Sequence, residues 1–177
     1  MKNPFRYGGI VSGPYFADRS EEIRELSREM ENNNRVFLVS QRRFGKTCLL
    51  HHLKHTLESN GPACTYIDLN AYPDLHGFAG AMTTMAARAL ESNTDRLLKI
   101  FSGFSRLRPK LSMDKNGNLG ASIELAVDEK DALEALIEGM GHIAGLAEKK
   151  KKKMVIIIMK KLNRKFITLA AQLLALL

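Results

Sequence analysis

Cysteine is scarce: Cys48 and Cys64 are the only two in 177 residues. Neither stands in a paired metal-ligand spacing, and two cysteines do not make a disulfide scaffold. Both are expected to be reduced, buried thiols. Long hydrophobic runs are missing too. None approaches the ~18 apolar residues that span a bilayer. The opening stretch, MKNPFRYGGIVSGPYF, lacks an apolar core of signal-peptide length. The expectation is a cytoplasmic chain with no membrane partner. No internal repeat is present.

Acidic residues are outnumbered. Nineteen Asp and Glu face 27 Lys and Arg, for a net charge of +8 and a pI near 9.6. A basic balance suits polyanions, which makes nucleotides and nucleic acids candidate partners. The excess is local, however. Lys149 to Lys153 are unbroken, and Lys160, Lys161, Arg164 and Lys165 follow closely. Without these nine the chain is near neutral, and a solvated lysine loop is the plainer reading.

What is present is ordinary for a globular domain: 45% hydrophobic and 26% charged residues, in a chain long enough for one core. Residues 1–18 read as an extended lead-in. Ile23, Leu26 and Met30 mark one face of a helix over 19–32, which Asn32-Asn33-Asn34 ends. Val36 to Val39 reads as a short strand, continuously apolar, as in a parallel sheet covered on both faces. A helix over 47–59 turns Leu49, Leu50, Leu53 and Leu57 inward, and Asn60-Gly61-Pro62 stops it. A strand over 63–70 and helices over 77–91 and 95–101 follow.

The period changes over 111–127. Leu119, Ala121, Ile123, Leu125 and Val127 alternate with other residues behind the turn Asp114-Lys115-Asn116-Gly117, the pattern of a β-hairpin inserted at the margin of the main sheet. From Asp128 a helix carries Leu133, Leu136, Ile137, Met140, Ile143 and Ala147 on one stripe. Gly139 and Gly141 weaken it and mark a bend or an end. "MVIIIM" at 154–159 reads as a buried strand. Phe166, Leu169, Ala170, Leu173, Leu174 and Leu177 form the stripe of a last helix. Alternating strands and helices predict an α/β layered fold.

Chemistry concentrates at 40–48. The consensus for cradling phosphate is G-x-x-x-x-G-K-[ST] between a strand and a helix: backbone N–H groups and the positive helix end replace the hydration of the anion. Residues 40–47 read S-Q-R-R-F-G-K-T. Gly45 lets the backbone approach the phosphate. Lys46 can reach the β- and γ-phosphates, and the Thr47 hydroxyl can ligate Mg²⁺. Ser40 replaces the first glycine but is small. Arg42 and Arg43 add positive potential. The candidate nucleotide-binding residues are thus Ser40, Gln41, Arg42, Arg43, Phe44, Gly45, Lys46, Thr47 and Cys48, with Thr47 as the metal candidate.

At this point the chain resembles a family. "NPFRYGGIV" at 3–11, "YFADR" at 15–19 and "SQRRFGKTCLL" at 40–50 are similar to the start of the prokaryotic AAA+-type P-loop ATPases called the archaeal ATPase family, relatives of the STAND signalling NTPases. The resemblance runs through "YIDLN" and the hairpin to about residue 159, the first half of a typical member. It implies a P-loop NTPase-like parallel sheet with flanking helices and the inserted β-hairpin. It also implies that Tyr7, Gly8 and the Val11–Phe16 region help to hold the base, with residues 1–18 a lead-in near it and 19–177 a partial P-loop domain. Relatives continue with further strands, a polar sensor and an arginine finger, so the domain is expected to be incomplete. A homo-oligomer or a signalling partner would engage through the missing half.

Hydrolysis needs a second element, an apolar strand ending in Asp and then Glu, to hold magnesium and position water. Here "MVIIIM" runs into Lys160-Lys161, so no catalytic residue is assigned. Asp68 ends an apolar strand and is the other acid to consider, but the resemblance places it on the strand after the loop helix. The reading is an ATP- or ADP-binding domain that does not hydrolyse, with doubtful use of Mg²⁺. The alternatives are a basic nucleic-acid-associated protein with a vestigial loop, and a non-functional fragment of a larger ATPase. His51, His52 and His55 have zinc-capable spacing but lack the glutamate of H-E-x-x-H and a third ligand; they read as surface histidines. Met82 and Met85 read as core filling.

Overall fold

The computed structural model describes residues 9, 19–36, 38–39, 41, 43–113, 119–128 and 131–159. The first described helix, α1 (Ser20–Glu31), buries Ile23, Leu26 and Ser27. Asn32 and Asn33 close it, their N–H groups donating to the Arg28 and Met30 carbonyls at 3.0 and 3.1 Å. Helix α2 (Lys46–Ser59) buries the four leucines expected of it, Leu49, Leu50, Leu53 and Leu57.

Among the described residues the parallel sheet has two strands, β1 (Ala63–Asp68) and β4 (Met154–Met159), in a register that sets Ala63 beside Met154 and Asp68 beside Met159. Alternate side chains reach opposite faces, as the strand period requires. Cys64, Tyr66, Val155, Ile157 and Met159 join a core with α1 and α2. Ala63, Ile67, Met154, Ile156 and Ile158 join a second core on the other face, with the remaining helices and the hairpin. Both faces are covered, so β4 has no polar alternation to show.

One predicted strand is not found. Val36, Leu38 and Val39 lie outside any strand. Val36 is 37% and Val39 88% exposed, and only Leu38 packs against a core. A strand exists through the neighbour that takes its backbone N–H and C=O groups. The described strands pair Ala63–Asp68 with Met154–Met159 and Leu107–Met113 with Leu119–Leu125, which leaves Val36, Leu38 and Val39 without such a neighbour among the described residues. The predicted strand over 36–39 is therefore corrected at its described residues: Val36, Leu38 and Val39 are irregular.

After β1 a short 3₁₀ turn (Leu69–Ala71) leads to α3 (Leu75–Leu90), and α4 (Thr94–Phe101) follows. Both helices start on a side-chain cap: Asp74 accepts from the Gly77 N–H at 2.7 Å, and Asn93 from the Arg96 N–H at 3.1 Å. The hairpin pairs β2 (Leu107–Met113) with β3 (Leu119–Leu125). Its first strand starts four residues before the predicted span, and the turn at 114–117 lies outside the described residues. Ala121, Ile123 and Leu125 are buried, as their alternation predicts.

The hairpin is held by α3. Thr84 accepts the Ile123 N–H at 2.9 Å and donates to the Gly80 carbonyl at 2.7 Å. Arg88 donates to the Ala121 carbonyl through Nε and Nη2. These i,i+4 side chains satisfy backbone groups on the edge of β3 that would otherwise be open.

Helix α5 (Ala132–Lys149) packs on α3 and runs unbroken through Gly139 and Gly141. Neither glycine marks its end. The buried stripe Ala132, Ala135, Leu136, Gly139, Met140, Ile143 and Ala147 outweighs the ~1 kcal/mol each glycine costs in a helix. The predicted last helix over 166–177 lies outside the described residues. Among those described, no helix is long and apolar enough to cross a membrane. The chain is thus α/β, with helices on both faces of a small parallel sheet.

Candidate functional site

The sequence places its phosphate-binding signal where a left-handed turn becomes a helix. Arg43 has φ +71° and Gly45 φ +69°, two positive values with only Phe44 between them. Glycine adopts this region without penalty, whereas arginine gives up roughly 1–2 kcal/mol there. Turns of this kind point successive N–H groups to one side and form anion-binding concavities. Helix α2 starts at once, with Leu49 N–H donating to the Gly45 carbonyl at 2.9 Å. The N–H groups of its first turn have no intrahelical acceptor. Gln41, Arg43, Phe44 and Gly45 are exposed, and Lys46, Thr47 and Cys48 are partly buried. Ser40 and Arg42 lie outside the described residues, as do Tyr7, Gly8 and 11–16.

The C-terminal ends of both strands meet this helix. The Thr47 hydroxyl donates to Met159 Sδ at 3.6 Å, and the Tyr66 hydroxyl donates to the same sulfur at 2.9 Å. The His51 ring tilts against Tyr66, with centroids 4.6 Å apart. Burial, then the nearby Asp68 charge, pushes the Tyr66 phenol above its ordinary range. Ligands of open α/β sheets bind outside the carboxyl ends of the strands, and this is that end. Sequence reasoning did not single out Tyr66 or Met159; a parallel pairing of 63–68 with 154–159 was the information needed to bring them to Thr47.

Asp68 is the acid at this end, beside Met159 in the sheet. Its Oδ1 accepts from the Asn70 backbone N–H at 2.9 Å and from Asn70 Nδ2 at 2.6 Å, which builds the turn after β1. Magnesium prefers hard oxygen donors in octahedral order. Around Thr47 the described residues offer a hydroxyl turned to a thioether, a phenol turned to the same thioether, and a carboxylate engaged in a turn. This donor set does not fit Mg²⁺. No group of three or more His, Cys, Asp or Glu suited to a metal is found among the described residues, the histidines of α2 included. Lys160 and Lys161 lie outside the described residues.

Arg19, 25 residues before Phe44, was also not expected. Its Nη1 donates to the Phe44 carbonyl at 3.0 Å, and its Nη2 lies 2.5 Å from Glu22 Oε2. No local pattern announces such a contact.

Other charged and apolar features are separate from the loop. The lysine run closes α5 and precedes β4, so it stands at the opposite end of that strand from Met159. Lys150 donates to the Leu90 carbonyl at 2.9 Å and to Glu91 Oε2 at 2.8 Å, and Lys153 donates to the Glu31 carbonyl. These two lysines tie elements together. The Lys150 hydrogen bond, first, and the Asn93 N–H hold the Glu91 carboxyl at about 2. An open groove of about 490 Å³ between α4 and α5 is lined by Ile100, Phe104, Glu138, His142 and Leu146. Met82 is fully buried and Met85 packs against the same core. Cys64 is buried and Cys48 only partly so, which corrects the expectation for the latter.

Compared with protein families, with curated proteins and with solved structures, the chain finds no match.

Proposed function

We propose that this chain binds the phosphate chain of ATP or ADP at the start of α2, in a P-loop-like manner, and does not hydrolyse it. The observation that carries the reading is the pair of left-handed residues, Arg43 and Gly45, immediately before a helix that opens with Lys46-Thr47. A concave turn, a helix N-terminus and a lysine converge there, and each favours a polyanion. The contact between Thr47 and the end of β4 supports the comparison with P-loop proteins, in which the loop helix adjoins a neighbouring strand end. Among the described residues, Val36, Leu38 and Val39 lie in no strand, and this is the main departure from that arrangement. Binding draws on Lys46, the loop N–H groups and the charge of Arg43; turnover lacks a metal-side acid among the described residues.

Lys46→Ala removes one charge-assisted phosphate contact, worth ~1.5–3 kcal/mol, or about one to two decades in affinity. Titration of both forms with a fluorescent ATP analogue tests the reading. Equal affinities overturn it. Retention of nucleic acid alone, weakening steeply with salt, transfers the function to the basic alternative.

A further inference from the structure

We propose that Arg19 is a positioning residue that locks the peptide between Phe44 and Gly45 in its anion-facing orientation. The inference rests on the phosphate-binding reading above and assigns a device that serves it.

The argument starts from peptide geometry. No cis peptide bond occurs among the described residues. In a trans peptide the carbonyl and the following N–H point in opposite directions. Arg19 Nη1 draws the Phe44 carbonyl toward α1 with a 3.0 Å hydrogen bond. The Gly45 N–H is thereby turned away from Arg19. Glycine at 45 makes this control necessary. A residue without a Cβ populates both signs of φ with similar ease, so this peptide plane can flip at little cost. At φ +69° it occupies one of two accessible states. A Cβ built at Gly45 meets only Arg19 Nη1, at 3.8 Å, an ordinary contact. The backbone sign, and not lack of room, is what glycine provides.

Arginine suits the task better than lysine. One nitrogen of its planar fork holds the carbonyl while the other pairs with Glu22 Oε2 at 2.5 Å. Two fixed partners orient the guanidinium, where an ammonium on a flexible stem would satisfy one partner at a time. Arg19 also stands directly before the first residue of α1. The loop orientation is thus tied to a helix that packs on α2.

When only a fraction of molecules is binding-competent, apparent affinity falls by that fraction. If release of the lock leaves the productive orientation about one-tenth populated, phosphate-chain affinity drops about tenfold.

The test titrates ATP and inorganic triphosphate into the full chain and into Arg19→Met, Arg19→Lys and Lys46→Ala, and follows the Gly45 amide by NMR. Arg19→Met and Arg19→Lys should both weaken the two ligands about tenfold, and triphosphate should no longer move the Gly45 amide as it does in the parent chain. A lysine that restores full affinity overturns the proposal, because Arg19 would then act as a charge and not as a fork. Parent-like affinity in Arg19→Met, alongside a loss in Lys46→Ala, overturns it while leaving the site standing. Parent-like affinity in Lys46→Ala removes the site itself. Thermal melts accompany each variant. If Arg19→Met does not fold, the lysine variant and its Gly45 amide decide the matter.

Discussion

Thr47 and Met159 touch across 112 residues of sequence, hydroxyl oxygen to thioether sulfur, at 3.6 Å. The hydroxyl that the loop motif reserves for a metal therefore faces a soft atom at the end of β4. Tyr66 presses on the same sulfur from β1. Thioether sulfur is a poor partner for Mg²⁺, which selects hard oxygens.

This relationship predicts metal-indifferent binding. ATP affinity should differ by less than about threefold between magnesium and EDTA, because the described oxygens around Thr47 are engaged with the Met159 sulfur and the Asn70 turn and are not gathered for the ion. Single-turnover assays should release no phosphate above the Lys46→Ala blank. Metal and transition-state charge stabilisation each supply several kcal/mol, so losing both removes many decades of rate. Phosphate release that appears only with Mg²⁺ contradicts the reading and points back to Asp68.

Two helical glycines should respond to the same substitution with opposite signs. A Cβ at Gly80 would meet the Ile123 carbonyl oxygen at 3.0 Å and Leu125 Cδ1 at 3.2 Å, where β3 crosses α3. Gly80→Ala is expected to destabilise by ~1–3 kcal/mol, since backbone and a buried leucine must both move. A Cβ at Gly141 meets nothing within 4 Å. Gly141→Ala should stabilise by ~0.5–1 kcal/mol through helix propensity alone. Urea unfolding of the two variants gives the comparison; equal shifts would show that the hairpin does not sit tightly on α3.

The sequence announced the elements that carry their own periodicity and missed the relations between them. The leucine spacing of 49–57 and the alternation at 121, 123 and 125 each report a buried face, and both faces are where they were expected. Val36 to Val39 failed because a short apolar run carries no information about its neighbour. The identical signal at 154–159 did become a strand, because β1 lies alongside it. Gly139 and Gly141 misled for a related reason: propensity is local, and the packing of α5 on α3 outweighs it. At the site, Gly45, Lys46 and Thr47 could be read from a motif. Arg19 and Met159 could not, since each reaches Phe44 or Thr47 through tertiary contact, and Tyr66 joins them only through the Met159 sulfur.

Acid sensitivity should centre on Glu91. Its carboxyl is held at about 2 by the Lys150 hydrogen bond above all, with the Asn93 N–H, Lys150 and Arg96 charges adding to it. A folded value below the ordinary ~4.3 means that the unfolded chain takes up the proton first as pH falls. The contribution is therefore complete above the ordinary value and is lost as pH drops through it toward about 2. Glu91→Gln should lower the urea midpoint at pH 7, and the gap to the parent should close as pH approaches 2. A gap that persists unchanged at low pH would show that Glu91 acts by packing and not by charge.

The two cysteines offer a reporter of nucleotide binding. Burial pushes the Cys64 thiol up to about 11, with the Glu58 charge adding to the shift. At pH 8 only about one molecule in a thousand then carries the Cys64 thiolate, the form that reacts. Cys64 also faces the α1–α2 core and is 4% exposed. Cys48 is only partly buried and directly follows Thr47 in the first turn of α2. Maleimide should therefore modify Cys48 in the native chain and reach Cys64 only after unfolding. ATP seated on the N–H groups of that turn should slow modification of Cys48 several-fold, since a ligand that covers and stiffens the turn closes the reagent's approach. Lys46→Ala should shift the protection to about ten- to hundredfold higher ATP, in line with its loss of a charge-assisted phosphate contact. Mass spectrometry of timed reactions reads both sites at once. Protection of Cys64 in place of Cys48 would place the effect in global stabilisation, and an unaltered Cys48 rate at saturating ATP would move the nucleotide away from the start of α2.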